Sequence, residues 1–537
     1  MSFFARHKIF TAFLIIILAL GAWVYSWRIG PYQNYTLDVV KPAAGEKVTP
    51  AQLKVGVAMR DVTANVAEDY DPWEDVNNNN KWDVDVDKYT DKNGNGKFDA
   101  CWIAGFNTNR PAKGVHDPQW VRAVAFQNNG VTMVMVSIDA IGIFHNEFIS
   151  IRESIDKSLG IDHIMFSSTH CHETPDTMKI WSGNTPIKIK GKYEYVPIFG
   201  YDDRYIKNIQ AKAKEAIEEA VKKLQPCDMY CAEAMVPADG YVDDSRKPVV
   251  VNPRMALMRF TKPNTDETIA TVVNWGNHPE TLGGDNSLLT SDFIHYLREG
   301  MEKGVPEPNG AQGFNAPCVY IQGEVGGLMT QLHTTVPTRD GQKQLREETF
   351  EKAQALGENL AILAAKTLRS DKVWKNENPK VAYAAKTALA PMGGVYSYAI
   401  MLGLIHEGYH WGGTAKTEIN VLRIGDVLAL SVPGEIYPEV VEGGIVAEPG
   451  NDFGLTAPVE VPRLRDAMES KAKLAFVVGL GNDEVGYMVP KSQWDTKPPF
   501  IYNGKDQYGE ENSPGPETAG LVHDFSEELL KRINEAW

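Results

Sequence analysis

Ser167-Ser168-Thr169-His170-Cys171-His172-Glu173-Thr174-Pro175 follows the run 161–166, which reads as a strand. Side chains alternate along a strand, so both imidazoles are expected on one face, with Cys171 on the other. Two nitrogen donors then stand at the C-terminal end of a strand, where α/β sheets carry their chemistry. A His-x-His pair taken alone fits a metal site or a hydrogen-bonded structural pair, so further ligands must come from elsewhere.

Three other segments offer them. His278 lies in Asn274-Trp275-Gly276-Asn277-His278-Pro279-Glu280-Thr281, just past the apolar strand 269–273, and Pro279 biases it towards an extended backbone. Glu435 follows the strand 427–432 in Pro433-Gly434-Glu435, and a carboxylate leaving an apolar strand needs a cation or a donor. Tyr487, in Gly486-Tyr487-Met488-Val489-Pro490, follows the strand 474–480 and a Gly-Asn-Asp turn; by itself it reads as packing.

Strands and helices alternate along the rest of the chain. Leu53 to Val62 opens the folded part as a strand, and Asn128-Asn129-Gly130 between two apolar runs predicts a hairpin. Apolar residues at helical spacing predict helices over 146–159, 202–224 and 345–368. The expected fold is α/β, a mixed β-sheet core layered with helices, in one large domain over 53–537. The segment 396–411 reads as a buried helix or as the lining of an acyl-chain pocket.

Residues 71–102 form an acidic insertion. Asp91, Asn93, Asn95 and Asp99 stand at positions 1, 3, 5 and 9 of an EF-hand-like loop with Gly96 at position 6; Asp75, Asn77, Asn79 and Asp83 repeat the pattern with Asn80 in place of glycine. Position 12 is Val86 or Trp102, so neither loop has the usual bidentate glutamate. Calcium is the expected ligand, against the alternative of a solvated acidic loop.

The 537 residues, 43% of them hydrophobic, allow a large core. A net charge of −16 excludes a nucleic-acid partner, which needs a basic face. Residues 9–27 carry no charge, follow Arg6 and Lys8, and end among Trp23, Tyr25 and Trp27, as a membrane-interface belt does. Residues 1–28 therefore read as a transmembrane signal anchor, or as a signal peptide cleaved near Ala19-Leu20-Gly21, with 29–52 as a linker and the rest of the chain extracytoplasmic (periplasmic, extracellular or luminal) or, after cleavage, secreted. Five cysteines are too few for a disulfide-built fold. Cys227 and Cys231 on one extended strand sit ~13 Å apart, too far to bridge.

Taken in order, LKVGVAMRDVT, the hairpin ending at Asp139, STHCHETP, NWGNHPETLG, VPGE and the segment ending at Tyr487 resemble the neutral ceramidase family, zinc amidases that cleave the N-acyl bond of ceramide. The resemblance implies zinc held by His170, His278, Glu435 and Tyr487, with His172 beside the metal and Arg246 facing the substrate. It further implies His172, Arg246 and Tyr487 as catalytic groups, acting with metal-activated water on an amide-linked acyl lipid. Two departures stand out. The family's serine-containing segment is replaced by Gln322-Gly323-Glu324-Val325-Gly326-Gly327, and the immunoglobulin-like C-terminal domain is expected to be missing. An esterase or lactonase on the same scaffold, or a calcium-stabilised binding protein without activity, are the competing expectations.

Overall fold

Three sheets built on one plan form the core of the computed structural model, which describes residues 8–28, 31–43, 45–46, 49, 51–181, 184–189, 192–197, 203–377, 379–393, 414–443 and 449–537. The segment 396–411 lies outside the described residues. The first sheet runs Gln225–Pro226, Lys54–Asp61, Trp120–Asn128, Val131–Ile138, His163–Ser168. The second runs Trp374–Lys375, Asp228–Met235, Arg254–Thr261, Thr268–Trp275, Cys318–Gln322, and the third Asp38–Lys41, Val381–Pro391, Thr414–Ile424, Val427–Ser431, Leu474–Val478. In this order every sheet makes three antiparallel pairings and closes on a parallel pair.

Alternation along the strands explains the layering. Phe126 and Met133 of the first sheet, Met258 and Phe260 of the second, and Leu422 and Phe476 of the third share one central core. The opposite faces are roofed by helices: Arg204–Lys222 over the first sheet, Phe293–Lys303 and Phe350–Thr367 over the second, Thr518–Ala536 over the third. In Arg204–Lys222 the buried residues Ile206, Ile209, Ala213, Ala216, Ile217 and Ala220 form one stripe. Each buried isoleucine contributes roughly 1.5–3 kcal/mol, and a charge at Ile209 would be stranded in the layer. The helix crosses the sheet so closely that a Cβ on Gly56 would lie 2.0 Å from the Ala220 carbonyl oxygen.

This plan brings the C-terminal ends of the three parallel pairs together. Ser168 N–H donates to the Leu480 carbonyl (3.3 Å), Gly479 N–H to the Gln322 carbonyl (3.0 Å), and the Asn274 amide to the carbonyls of Ile321 and Val477. The candidate zinc ligands leave the core at this junction.

The hairpin turns as expected, with Asn129 and Gly130 both at positive φ. All five cysteines are buried thiols, Cys227 and Cys231 on one strand. The expected linker is in part docked: Asp38–Lys41 is the edge strand of the third sheet, and Lys416 Nζ donates to the carbonyls of Tyr32, Gln33 and Tyr35. In the insertion, Asp75 accepts the N–H groups of Asn79 and Asn80, and Asp91 those of Gly94, Asn95 and Gly96. Asn78 and Asn80 adopt the left-handed backbone that Gly94 and Gly96 adopt in the second loop, a conformation asparagine tolerates. Trp73, Trp82, Tyr89, Phe98 and Trp102 pack between the loops. The run 9–27 lies within one helix, Lys8–Arg28, whose Phe13, Ile15, Ile16 and Leu18 are exposed. Among the described residues no helix is long and apolar enough to cross a membrane, so the structure does not support the expected transmembrane anchor.

Candidate active site

His170 and His172 converge by a different route from the one their spacing suggests. The strand ends at Ser168; His170 follows with φ +63°, and the chain turns. The two rings lie 4.9 Å apart and nearly perpendicular, so the turn and not strand alternation sets them together, while Cys171 Sγ points to the Thr290 carbonyl. A left-handed histidine stores strain that the surroundings must hold.

The second sheet delivers His278 and the third delivers Glu435 and Tyr487, which lie on the paired short strands Glu435–Ile436 and Tyr487–Met488. Glu435 Oε2 lies 3.0 Å from His278 Nε2 and 3.4 Å from His170 Nε2. The Tyr487 hydroxyl lies 3.4 Å from His278 Nε2, and His172 Nε2 lies 3.4 Å from His170 Nε2. One ring nitrogen from each of His170, His172 and His278 falls within 4.8 Å of the other two.

Hydrogen bonds on the far side of the rings decide the chemistry at this point. His170 Nδ1 donates to the Ile141 carbonyl (2.6 Å) and His278 Nδ1 to the Met329 carbonyl (2.7 Å). A carbonyl only accepts, so both Nε2 atoms present lone pairs to each other and to a carboxylate. Such a set of acceptors needs a cation at its centre, a proton or a metal ion. Burial disfavours charge on His170, but the adjacent Glu435 prevails and raises it to about 9; Glu435, buried too, is pulled down to about 2 by His170. A proton on His170 serves this purpose, and a metal ion bound here would displace it. The set of two neutral imidazoles and a carboxylate fits a zinc ion that keeps a position open.

The ligands open on a cavity of about 140 Å³. One wall is apolar: Ile141, Phe144, Met178, Ile180, Trp181 and Met392. Gly105 closes the site behind His172; a Cβ there would lie 2.5 Å from the His172 side chain, and its φ of +101° suits only glycine. Phe106 packs edge-on against the same ring.

Two buried carboxylates at this site escaped the sequence reading. Glu280 Oε2 lies 3.2 Å from His172 Nδ1, and burial raises its pKa. Glu484 lines the cavity and accepts the Gly486 N–H; burial and then the charge on Glu435 hold it well above the usual carboxylate range. Their signal, an acid one or two residues from a ligand segment's Pro279 or Gly486, resembles an ordinary solvated turn. Arg246, expected to face the substrate, lies elsewhere. It does not line the cavity: its guanidinium donates to Glu510 (2.6 Å), to Gln493 and to the Lys247 carbonyl, between the rings of Tyr437 and Tyr502. The acid that neutralises it was not visible as its partner, 264 residues along the chain. The calcium-loop residues stay apart from this site, exposed or half-buried in the insertion.

Sequence comparison finds no matching family model and no matching curated protein. Structural comparison finds the neutral ceramidase from Pseudomonas aeruginosa, 14% identical, with a TM-score of 0.62 over 90% of this chain and 74% of that one. The chain carries the neutral ceramidase fold. A ceramidase complexed with C2 matches with the same TM-score and identity, over 90% of this chain and 75% of the other. At this identity the likeness fixes the architecture, and the chemistry has to be argued from the residues.

Proposed function

We propose that the protein is a zinc-dependent hydrolase that cleaves the N-acyl amide bond of a ceramide-like lipid. The observation that carries this reading is the meeting of the His170 and His278 Nε2 lone pairs with the Glu435 carboxylate beside a cavity with an apolar wall. Likeness to the two ceramidase structures supports the substrate class. His170, His278 and Glu435 would hold the metal, and the Tyr487 hydroxyl lies 3.4 Å from His278 Nε2. When bound, zinc supplies a Lewis acid for a carbonyl and a nucleophile drawn from water at neutral pH. Tyr487, kept protonated by burial and by Glu435, donates to the oxygen that gains charge as the carbonyl is attacked. His172, which burial and the neighbouring histidines keep neutral, accepts a proton and passes it to the leaving amine, with Glu280 steadying its Nδ1 side. The apolar wall takes the acyl chain and excludes water.

Calcium at the two loops and an extracytoplasmic catalytic domain belong to the same proposal. The matching turns at Asp75 and Asp91 support the calcium reading. The test is release of fatty acid from N-acylsphingosine and from an acyl ester of equal chain length, by the zinc-loaded full chain and its Tyr487→Phe variant. Amide cleavage that is lost in the variant supports the reading; cleavage of the ester alone replaces it with an esterase.

A further inference from the structure

Gln322 ends the parallel strand of the second sheet, fully buried at the junction of the three sheets. Its Nε2 donates to the Thr169 carbonyl (2.7 Å) and to the Asn277 carbonyl (2.8 Å). These are the residues immediately before His170 and His278. Its Oε1 accepts from the N–H groups of Asn277 (3.3 Å) and Gly323 (3.1 Å), with the Tyr320 hydroxyl at 3.1 Å. Its own carbonyl accepts from Gly479, on the chain that runs on to Glu484 and Tyr487. One side chain therefore spends both donors on two ligand-bearing segments that belong to different sheets.

Each tie constrains an imidazole. Thr169 is gripped on both sides, its N–H by the Ile138 carbonyl and its carbonyl by Gln322, and the next residue is the strained His170. Asn277 is gripped by Gln322 at both N–H and carbonyl, and the next residue is His278, whose Nδ1 is in turn fixed by Met329. A buried amide with every polar atom paired holds its neighbours in one geometry, and no apolar residue of that size reproduces it.

We infer that Gln322 is a positioning residue that sets the separation of His170 and His278 and thereby the affinity of the metal site. The inference rests on the metal reading above. Removing it leaves two carbonyls buried without donors, so the left-handed turn at His170 relaxes and the two Nε2 atoms move apart. Affinity for metal falls before the fold does, because the three-sheet core beneath is apolar and untouched.

The test measures zinc affinity of the full chain by competition with a chromophoric chelator, together with the visible spectrum of the cobalt-substituted protein. Wild type is compared with Gln322→Met, Gln322→Glu and Tyr320→Phe, and with Phe260→Leu as a destabilised core control. Gln322→Glu keeps the shape and the acceptors while turning an oxygen on the two carbonyls. The expected result is zinc binding weakened about tenfold or more in both Gln322 variants, with an altered cobalt spectrum. A loss of about twofold is expected in Tyr320→Phe, which alone carries the test if the Gln322 variants do not fold. Phe260→Leu lowers the melting temperature and leaves affinity and spectrum as in wild type. Wild-type affinity and spectrum in the folded variants overturn the positioning role while the metal site stands. Absence of zinc and cobalt binding in wild type overturns the metal reading and this inference with it.

Discussion

The molecule buries two clusters of two histidines and a glutamate, and they are built for opposite ends. Around Glu418 every charge has an answer. Arg152 reaches both carboxylate oxygens (2.7 and 2.9 Å), His163 Nε2 adds a contact at 3.1 Å, and Tyr35 and Asn482 complete the network between the first and third sheets. Around Glu435 the same residue types meet beside a cavity with no arginine or lysine among the contacts described, and only a proton on His170 balances the carboxylate. A buried histidine–glutamate cluster is structural when its charge is matched within the protein, and points to a ligand when the match is withheld.

Removing the glutamate should break the two clusters differently. Glu418→Ala leaves Arg152 buried without its partner, an expected cost of about 3–5 kcal/mol in unfolding free energy. Zinc bound per folded molecule should not change. Denaturant titration beside metal analysis checks both halves; a stable Glu418→Ala protein that loses zinc would erase the distinction.

Acid probes the same cluster, whose second histidine, His145, has its Nε2 4.0 Å from Glu418 Oε2. Burial holds His145 down to about 4, below the ordinary value of about 6.5, so the unfolded chain takes up this proton first. Stability contributed above pH 6.5 is lost as pH falls from about 6.5 towards 4, by up to about 3 kcal/mol. Glu418, held well below the carboxylate range because Arg152 outweighs burial, extends the loss below pH 4.5. Unfolding of metal-depleted protein between pH 7 and 4 should follow this slope, and His145→Gln should flatten it; an unchanged slope would contradict the assignment.

At the open cluster the sharper variant is Tyr487→Phe. Zinc content should persist while the hydrolytic rate falls about a hundredfold, because one donor to the developing oxyanion is gone. A rate within threefold of wild type would remove Tyr487 from the chemistry. The smallest effect belongs to the insertion. Asp91→Ala removes the acceptor for three N–H groups and is expected to lower the melting temperature only slightly, with loss of terbium luminescence from that loop and no change in zinc.

Much of this was legible in the sequence for a physical reason. His170, His278, Glu435 and Tyr487 each follow an apolar run that a strand has to bury, so their placement at strand ends follows from local pattern. The hairpin at Asn129-Gly130 and the helix over 204–222 were readable likewise from turn chemistry and from a 3.6-residue period. What was hidden is what only the assembled sheets create. The common plan of the three sheets leaves no sequence period, because the connections between corresponding strands differ in length. Glu280 and Glu484 look like solvated acids until three chain ends close over them, and the resemblance that set Arg246 towards the substrate gave no sign of Glu510, its partner 264 residues away. Gln322 stood out only as a departure from a serine-containing segment, although its two donors tie the histidine segments together.

The most direct measurement is the zinc content of the purified full chain beside His170→Ala, Glu435→Ala and Glu418→Ala. About one zinc per chain in wild type and in the folded fraction of Glu418→Ala, with loss in both site variants, is the predicted result. Zinc that survives in His170→Ala and Glu435→Ala, or wild type that takes up no metal after repletion, would contradict the account.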